Sequence, residues 1–427
     1  MSAQEVVRCC RGRFVLPLLF LLLLSGCLGE RQALDNVATL LHRGEVNQAL
    51  VQLDESSLAK GERNRLLYLW EKGLLLHLQG KYRQSNDVLE EADLLEEELM
   101  TRSLSAEALS FVSNDTIIPY RGEDYEAAYA NYYRALNYLA LGELDEALVE
   151  CRRVDEKLTY YTNLYEGEHV FKESPYLRLL TGLVYEADGD SNNAFIAYRR
   201  SLEAYQFYRD KYHVAIPDFL WSRLVQSARA TGFESEAQRY EKKARESGVV
   251  LRENDSFLVI LVDRGILPRK QEKSFAFTSP DNVPVKLALP YYPHRERLDP
   301  LRVKVKNRPV RFNQGENLYA VAKQSLEDKK GRILVKAIAR AAAKQLAARK
   351  AENELGPLAG FASKMVALIT EQADLRGWSS LPQRIDFGVV ALPPGEYEVR
   401  FSSHRENRDL YAKVPERGPG FLFTRSL

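Results

Sequence analysis

A short pattern sets the architecture of the first half of the chain: Gly142-Glu143-Leu144-Asp145-Glu146-Ala147, a glycine followed five residues later by a small residue. It recurs between about residues 31 and 247, as Gly44 and Ala49, Gly80 and Ser85, Gly189 and Ala194, and Gly232 and Ala237. Each copy precedes a stretch in which apolar residues recur at the helical period. Because a glycine ends a helix and a small residue lets the next helix pack closely, the pattern predicts helix-turn-helix pairs.

These pairs resemble the tetratricopeptide (TPR) repeat. Gly73 and Tyr82 fit its register around Gly80, and Gly182 and Tyr198 fit it around Gly189. The resemblance implies a TPR-like helical array over residues 27–250, with a concave face that takes a peptide or another protein. The alternative is that the helices form only a compact structural base.

The N-terminus has the pattern of an export signal. Arg8, Arg11 and Arg13 precede an apolar run, Phe14 to Leu24, that is shorter than the roughly 20 residues a membrane span needs. The run ends in Leu24-Ser25-Gly26-Cys27, which resembles a bacterial lipobox. The resemblance implies that residues 1–26 are a signal peptide and that Cys27 is acylated with chains such as palmitate. Since Leu28 follows the cysteine and not Asp, it implies the periplasmic side of the outer membrane. The alternative is an uncleaved anchor or an ordinary secretory signal.

Composition narrows the function classes. Lys and Arg number 60 and Asp and Glu 59, so a globally basic, nucleic-acid-binding surface is excluded. Of the four cysteines, Cys9 and Cys10 would leave with the signal and Cys27 would be acylated, which leaves Cys151 as a thiol. We therefore expect no intramolecular disulfide, no metal site and no cofactor, and the six scattered histidines agree with this.

A tyrosine-rich segment follows a turn that Pro119 and Gly122 predict. With the lipobox, the run from Ser113 to Glu126 is similar to a family of uncharacterised bacterial TPR-type outer-membrane lipoproteins. The likeness continues in residues 340–344 and 371–378. Such proteins occur with lipoproteins similar to activators of penicillin-binding proteins, which implies a role in cell-envelope or peptidoglycan assembly and other envelope proteins as partners.

The same segment supplies the candidate binding residues. They combine aromatic rings with charges and could line a groove for a peptide or a glycan strand: Tyr120, Arg121, Glu123, Asp124, Tyr125, Tyr132 and Tyr133. The alternative is that tyrosines at helical spacing form part of the core.

In the second half, apolar residues no longer recur at the helical period. They alternate with polar residues in short runs bounded by Pro, Gly, Asn and Asp, a pattern typical of strands. They predict a β-sandwich-like domain over residues 251–427. A helical hairpin is predicted as an insertion at about residues 317–374, divided by Gly331 and by Gly356-Pro357.

A basic stripe is predicted on the central helix of this insertion. It consists of residues at four-residue spacing: Arg332, Lys336, Arg340 and Lys344. Such a helix could touch anionic lipid head groups, or dock on the acidic stretch from Asp87 to Glu98 or on a partner. The alternative is an ordinary solvated face.

The sequence contains none of the common catalytic motifs, neither a Gly-x-Ser-x-Gly elbow, a His-Glu-x-x-His helix nor a phosphate loop. The leading hypothesis is thus a non-enzymatic, lipid-anchored scaffold that binds proteins through the array, without catalytic residues. The second hypothesis is a glycan- or peptidoglycan-processing enzyme that uses carboxylates near Tyr120 to Glu126. Such an enzyme requires two carboxyl groups that face each other across a cleft.

Overall fold

A computed structural model describes residues 29–101, 116, 118–164, 174–212, 214–251, 255–278, 284–370, 372–403 and 407–427. The predicted signal peptide and Cys27 lie outside these residues. Among the helices of this part of the chain, none combines the length and the apolar character that a membrane span requires.

Helices stacked in chain order form the first half. They are α1 (29–42), α2 (Val46–Glu55), α3 (Ser57–Lys60), α4 (Arg65–Leu78), α5 (Tyr82–Thr101), α6 (Asp124–Leu141), α7 (Leu144–Leu164), α8 (Pro175–Ala187), α9 (Ser191–Tyr212), α10 (Asp218–Ala230) and α11 (Glu234–Glu246). The partners α4 and α5, α6 and α7, α8 and α9, and α10 and α11 pack along their lengths, and each pair contacts the next. We call this stack the array.

The glycine pattern is confirmed as the device that forms the pairs. Its glycines adopt the left-handed conformation, with φ between +73° and +82°, at Gly44, Gly80, Gly142, Gly189 and Gly232. The small residue five positions later is fully buried in each copy. Gly182 shows how close the helices come, because a Cβ there would lie 2.4 Å from the ring of Tyr198.

Strands begin the second half. They are β1 (Ser256–Arg264), β2 (Gln271–Thr278), β3 (Pro284–Tyr291), β4 (Arg302–Val305), β5 (Arg308–Pro309), β6 (Phe312–Glu316), β7 (Arg384–Ala391), β8 (Gly395–Ser402), β9 (Asn407–Val414) and β10 (Gly418–Ser426). One sheet has the order β10-β1-β7-β6, with β10 parallel to β1, and another has the order β5-β4-β8-β9. Strands β2 and β3 form a separate two-stranded ribbon.

Strand β1 is buried on both faces and joins two hydrophobic cores. Phe257, Val259 and Leu261 belong to the larger core, which also contains array residues from α1 to α11. Leu258 and Ile260 belong to a smaller core between the two four-stranded sheets. The large core therefore crosses the predicted boundary at residue 250, and the two halves share it.

The predicted helical insertion consists of α12 (Leu318–Leu355) and α13 (Pro357–Thr370). The expected break at Gly331 was wrong, because α12 continues through it. A single glycine in a helix costs only about 1 kcal/mol, which the rest of a long helix outweighs. Gly356, with a φ of +91°, ends the helix, and Pro357 starts the next one.

Candidate functional site at the junction of the two halves

The start of α6 is held by a tight turn beneath a tryptophan. Gly122 has a φ of +79°, and a Cβ on it would lie 2.1 Å from the ring of Trp70. The backbone N–H of Glu123 donates to Glu126 Oε2 over 2.9 Å, which fixes the first helical turn. This geometry fixes the start of α6, whose tyrosines and glutamates at positions 125, 126, 132 and 133 are buried.

The candidate tyrosines are almost entirely buried in the core, as the alternative interpretation predicts, and Tyr132 also lines part of a cleft between the halves. Tyr120, Tyr125, Tyr132 and Tyr133 are at most 6% exposed. Tyr120 Oη donates to Glu126 Oε2 over 2.6 Å, and Tyr133 Oη donates to Asp263 Oδ2 over 2.6 Å. Their rings fill space between the array and the second half, and their hydroxyl groups find partners there.

A loop of the second half is bound by two buried glutamates of the array. The N–H of Trp378 donates to Glu126 Oε1 over 2.7 Å. Ser379 donates through both its N–H and its Oγ to Glu71 Oε1, each over 2.7 Å. The ring of Trp378 stacks on Trp70 with centroids 5.4 Å apart. We call this contact region, which includes Lys270 and Glu123, the junction.

The family resemblance includes the region of Trp378, whereas no sequence motif points to its partner Glu71. Glu71 is fully buried on α4, a helix whose other residues are mostly apolar. A single acid inside an apolar helix is a signal that a buried donor must face it, because an unpaired charge there is costly. The donors are the backbone and hydroxyl groups of residues 379 and 380.

Glu123 is an ion-pair centre within the junction. Lys270 Nζ lies 2.6 Å from Glu123 Oε1, and Lys329 Nζ lies 2.7 Å from Glu123 Oε2. Burial alone would raise the pKa of Glu123, but the charges of the two lysines hold it well below its ordinary value. Asp124 is half-buried, 4.0 Å from Lys329, and Arg121 is half-buried beside the turn.

Three buried acids between the two halves have pKa values raised towards neutrality. Burial, with the neighbouring charge of Glu123, raises the pKa of Glu126 to about 7. Burial also raises the pKa of Glu316 to about 7 and that of Asp263 to about 6. Each carboxyl accepts a hydrogen bond from a hydroxyl group, which for Glu316 is the Ser174 Oγ over 2.6 Å. These raised pKa values predict that the three carboxyl groups change their protonation state between about pH 6 and pH 7.

Little space remains beside the carboxyl group of Glu126. The cavity lined by Tyr125, Glu126, Lys270 and Trp378 has a volume of about 10 Å³. A sugar ring does not fit there, since about 10 to 15 Å³ is needed for one water molecule. A larger cleft of about 340 Å³ lies elsewhere between the halves, beside His77, Asp263 and Arg425. Within the described ranges, no group of three or more His, Cys, Asp or Glu residues could hold a metal ion.

The acidic stretch on α5 is matched by bases of the array itself. Lys157 Nζ lies 2.8 Å from Asp93 Oδ1 and 2.5 Å from Glu96 Oε2. Arg153 lies 3.2 Å from Asp93, and Arg134 forms an ion pair with Glu90. Basic residues of α6 and α7 therefore neutralise much of the negative charge of this stretch.

The predicted basic stripe on α12 turns partly inward. Arg332 is exposed and Lys336 and Lys344 are half-buried, whereas Arg340 is only 2% exposed. Four-residue spacing drifts by about 40° per step around a helix, so Arg340 reaches the buried side. A uniformly solvated basic face is therefore wrong, and the outward face of α12 carries aliphatic side chains, such as Val335 at 60% and Leu346 at 66% exposure.

No protein-family model and no curated protein matches this chain. Among solved structures, MamA from Desulfovibrio magneticus RS-1 is similar at 16% identity with a TM-score of 0.32, covering 51% of this chain and 93% of that one. A putative kinesin light chain from Podosopora anserina, with nearly identical TPR-like repeats, is similar at 17% identity with a TM-score of 0.33, covering 51% and 93%.

What defines the class of protein is the packing of the helix pairs. The described first half is a TPR-like array of antiparallel helix pairs, and helices α4, α6 and α8 are buried on nearly all sides. The second half, which contains sheets, covers the face that these helices form. Much of the face that the sequence offered for partner binding is therefore covered by the chain itself, apart from the cleft beside His77.

Proposed function

We propose that this chain is a non-enzymatic scaffold of the cell envelope, acylated at Cys27 and held on the periplasmic side of the outer membrane, that binds other envelope proteins. The observation that carries the protein-binding part is an outward apolar surface on the helical hairpin. The lipobox resemblance supports the anchor, and the family resemblance supports a role in envelope or peptidoglycan assembly.

The hairpin surface is formed by large side chains that face solvent on both helices. On α12, Val335, Ile338 and Leu346 are 60%, 51% and 66% exposed, and on α13, Leu358 and Phe361 are 85% and 64% exposed. Exposed apolar clusters of this kind typically mark protein or membrane contacts. Because the candidate tyrosines are at most 6% exposed, we assign partner binding to this hairpin and not to the tyrosine segment.

The enzyme alternative receives no support from the junction. Glu123 is bound to two lysines, and Glu126 is bound to Trp378 and Tyr120. A glycosidase needs an acid and a second carboxyl on either side of an open cleft. The cavity of about 10 Å³ beside Glu126 leaves no room for a substrate.

Photo-crosslinking in cells tests the partner-binding surface. A photoreactive residue replaces Ile338 or Leu346, and a matched variant carries it at Val250, which is 78% exposed. We expect a reproducible crosslinked protein from the hairpin positions and none from the control. Absence of crosslinks at both hairpin positions, with normal protein levels, would reject the scaffold.

Fractionation tests the anchor separately. Cys27→Ser should move the protein from the outer-membrane fraction to the soluble periplasm, or leave it held by its signal, because the acyl chains supply the membrane affinity. Unchanged outer-membrane fractionation would reject acylation at Cys27 as the anchor.

A further inference from the structure

The ribbon of β2 and β3 is covered on one face at Ala288 of β3, while β2 is exposed on both faces along most of its length. Its register pairs Phe275 with Leu287 and Phe277 with Val285, so these side chains share a face. Phe275 and Phe277 are 46% and 49% exposed. The opposite face carries Ala288, which is 1% exposed, and β3 contacts α12.

The other face is mostly apolar, with half-buried side chains on β3, and among its described residues it carries one charge and the polar Gln271. We define the apolar ribbon face by these residues: Phe275, Phe277, Val285, Leu287, Leu289 and Tyr291. Lys273 shares the face, with its Nζ 5.5 Å from the centroid of the Phe275 ring. The ribbon's described acid, Glu272, points to the covered side, where it pairs with Lys286 at 3.0 Å and accepts from the N–H of Ala373.

Aromatic rings with a neighbouring lysine and no acid suit the surface of an anionic bilayer. Aromatic side chains insert at the level of the lipid head groups, and a lysine can bury its methylene stem while its ammonium group stays in water. The positive charge is complementary to phosphate head groups.

The base of the ribbon lies beside the start of the described chain. Arg269, two residues before β2, donates to the carbonyl oxygen of Arg31 over 3.1 Å and forms an ion pair with Asp35. Both acceptors belong to α1, which starts at Gly29. Cys27 is two residues before Gly29 and so at most about 7 Å from it. Acyl chains on Cys27 would enter the bilayer near the base of the ribbon, which is about 26 Å long.

We propose that the apolar ribbon face docks on the surface of an anionic phospholipid bilayer, as a second membrane contact beside the acyl chains. The choice of a bilayer over a second copy of the chain rests on the acylation of Cys27 in the proposed function. The acyl chains and the apolar ribbon face together would hold the array in a fixed orientation to the membrane. A single flexible anchor would leave that orientation free.

Vesicle flotation tests this contact without the acyl chains. The mature chain from position 27, carrying Cys27→Ser, is mixed with vesicles of phosphatidylethanolamine and phosphatidylglycerol. It is compared with a ribbon variant, Phe275→Ser with Phe277→Ser, and with a control, Tyr411→Ser with Val250→Ser, whose residues are 75% and 78% exposed. Circular dichroism checks that all three are folded.

We expect the parent and the control to float with the vesicles, and the ribbon variant to partition about tenfold less or weaker still, because it loses two half-exposed rings. Lys273→Glu should reduce binding to these vesicles about fivefold or more and leave binding to neutral phosphatidylcholine vesicles unchanged.

Three results would overturn the inference. They are no flotation of the parent, equal flotation of the ribbon variant, and a dimeric parent that the ribbon variant converts to a monomer, since a second copy would then cover the face. Mass spectrometry of Cys27 from cell membranes distinguishes a failure of the ribbon contact from a failure of the proposed lipid anchor. An acylated Cys27 with no flotation rejects the ribbon contact alone, whereas an unacylated Cys27 with flotation rejects the anchor alone.

Discussion

Replacing Trp378 by alanine should weaken the whole protein, including helices far from it in sequence. Trp378 is fully buried and stacks on Trp70 of α4. A buried tryptophan removes about 200 Å² from water, and an alanine stub retains about a quarter of that. At about 25 cal/mol per Å², the transfer term is about 4 kcal/mol, inside the range of about 3 to 5 kcal/mol for such truncations.

Urea unfolding followed by circular dichroism measures this effect, because most helices belong to the array while Trp378 belongs to the second half. Since both halves share one core, we expect a single transition whose midpoint falls in Trp378→Ala. Tyr411→Ala, at a residue 75% exposed, should change the free energy of unfolding by about 0.5 kcal/mol or less. The reasoning is refuted if the helical transition keeps its midpoint in Trp378→Ala, since the halves would then unfold independently.

Three further predictions concern single sites. Gly182→Ala should destabilise the protein by about 1 to 3 kcal/mol, because the new Cβ would lie 2.4 Å from the Tyr198 ring. Gly331→Ala should stabilise it slightly, because the new Cβ has no neighbour within 4 Å. Thermal melting of both variants measures the two changes in stability. The pKa of Glu126 is raised to about 7, so its contribution to stability is full below its ordinary value of 4.5 and is lost as the pH rises through 7. Glu126→Gln, which cannot ionise, should therefore gain stability relative to the parent by about 3 kcal/mol between pH 4.5 and pH 8 in urea titrations, and a pH-independent difference contradicts this. Burial raises the pKa of Cys151 to about 12, so its thiol should resist iodoacetamide at pH 8 until urea unfolds the protein.

Local patterns made the array predictable, and distant contacts made the junction unpredictable. Gly142 and Ala147 act within one turn and the next helix, so their spacing is enough to predict a helix pair. Glu71 and Ser379 are 308 positions apart, and Trp378 and Glu126 are 252 apart. No spacing rule joins such residues, although a lone acid in an apolar helix shows that a buried donor is needed.

The wrong predictions have the same cause, since local sequence patterns do not show contacts between distant residues. Spacing alone placed the tyrosines on a groove, because a half-buried ring and a binding ring have the same period. It also divided the insertion at Gly331 and placed Arg340 on one continuous basic stripe, because neither the length of α12 nor its covered side is visible in a short window. The change from helices to strands in the second half, seen for example in β7 at residues 384–391, was predicted because strand signals are local.

The position of β10 in the sheet determines when the hydrophobic core can form during synthesis of the chain. This strand, residues 418–426, lies beside β1, and a Cβ on its Gly418 would come within 3.2 Å of the carbonyl oxygen of Glu186 on α8. Helices α4, α6 and α8 are synthesised long before it, so part of their inner surfaces stays uncovered until residues 418–426 have been made. Nascent protein would spend that interval with core tyrosines uncovered and prone to aggregation, which makes it a client for holding chaperones. A truncation of about ten C-terminal residues would prolong this state and should lead to proteolysis of the array.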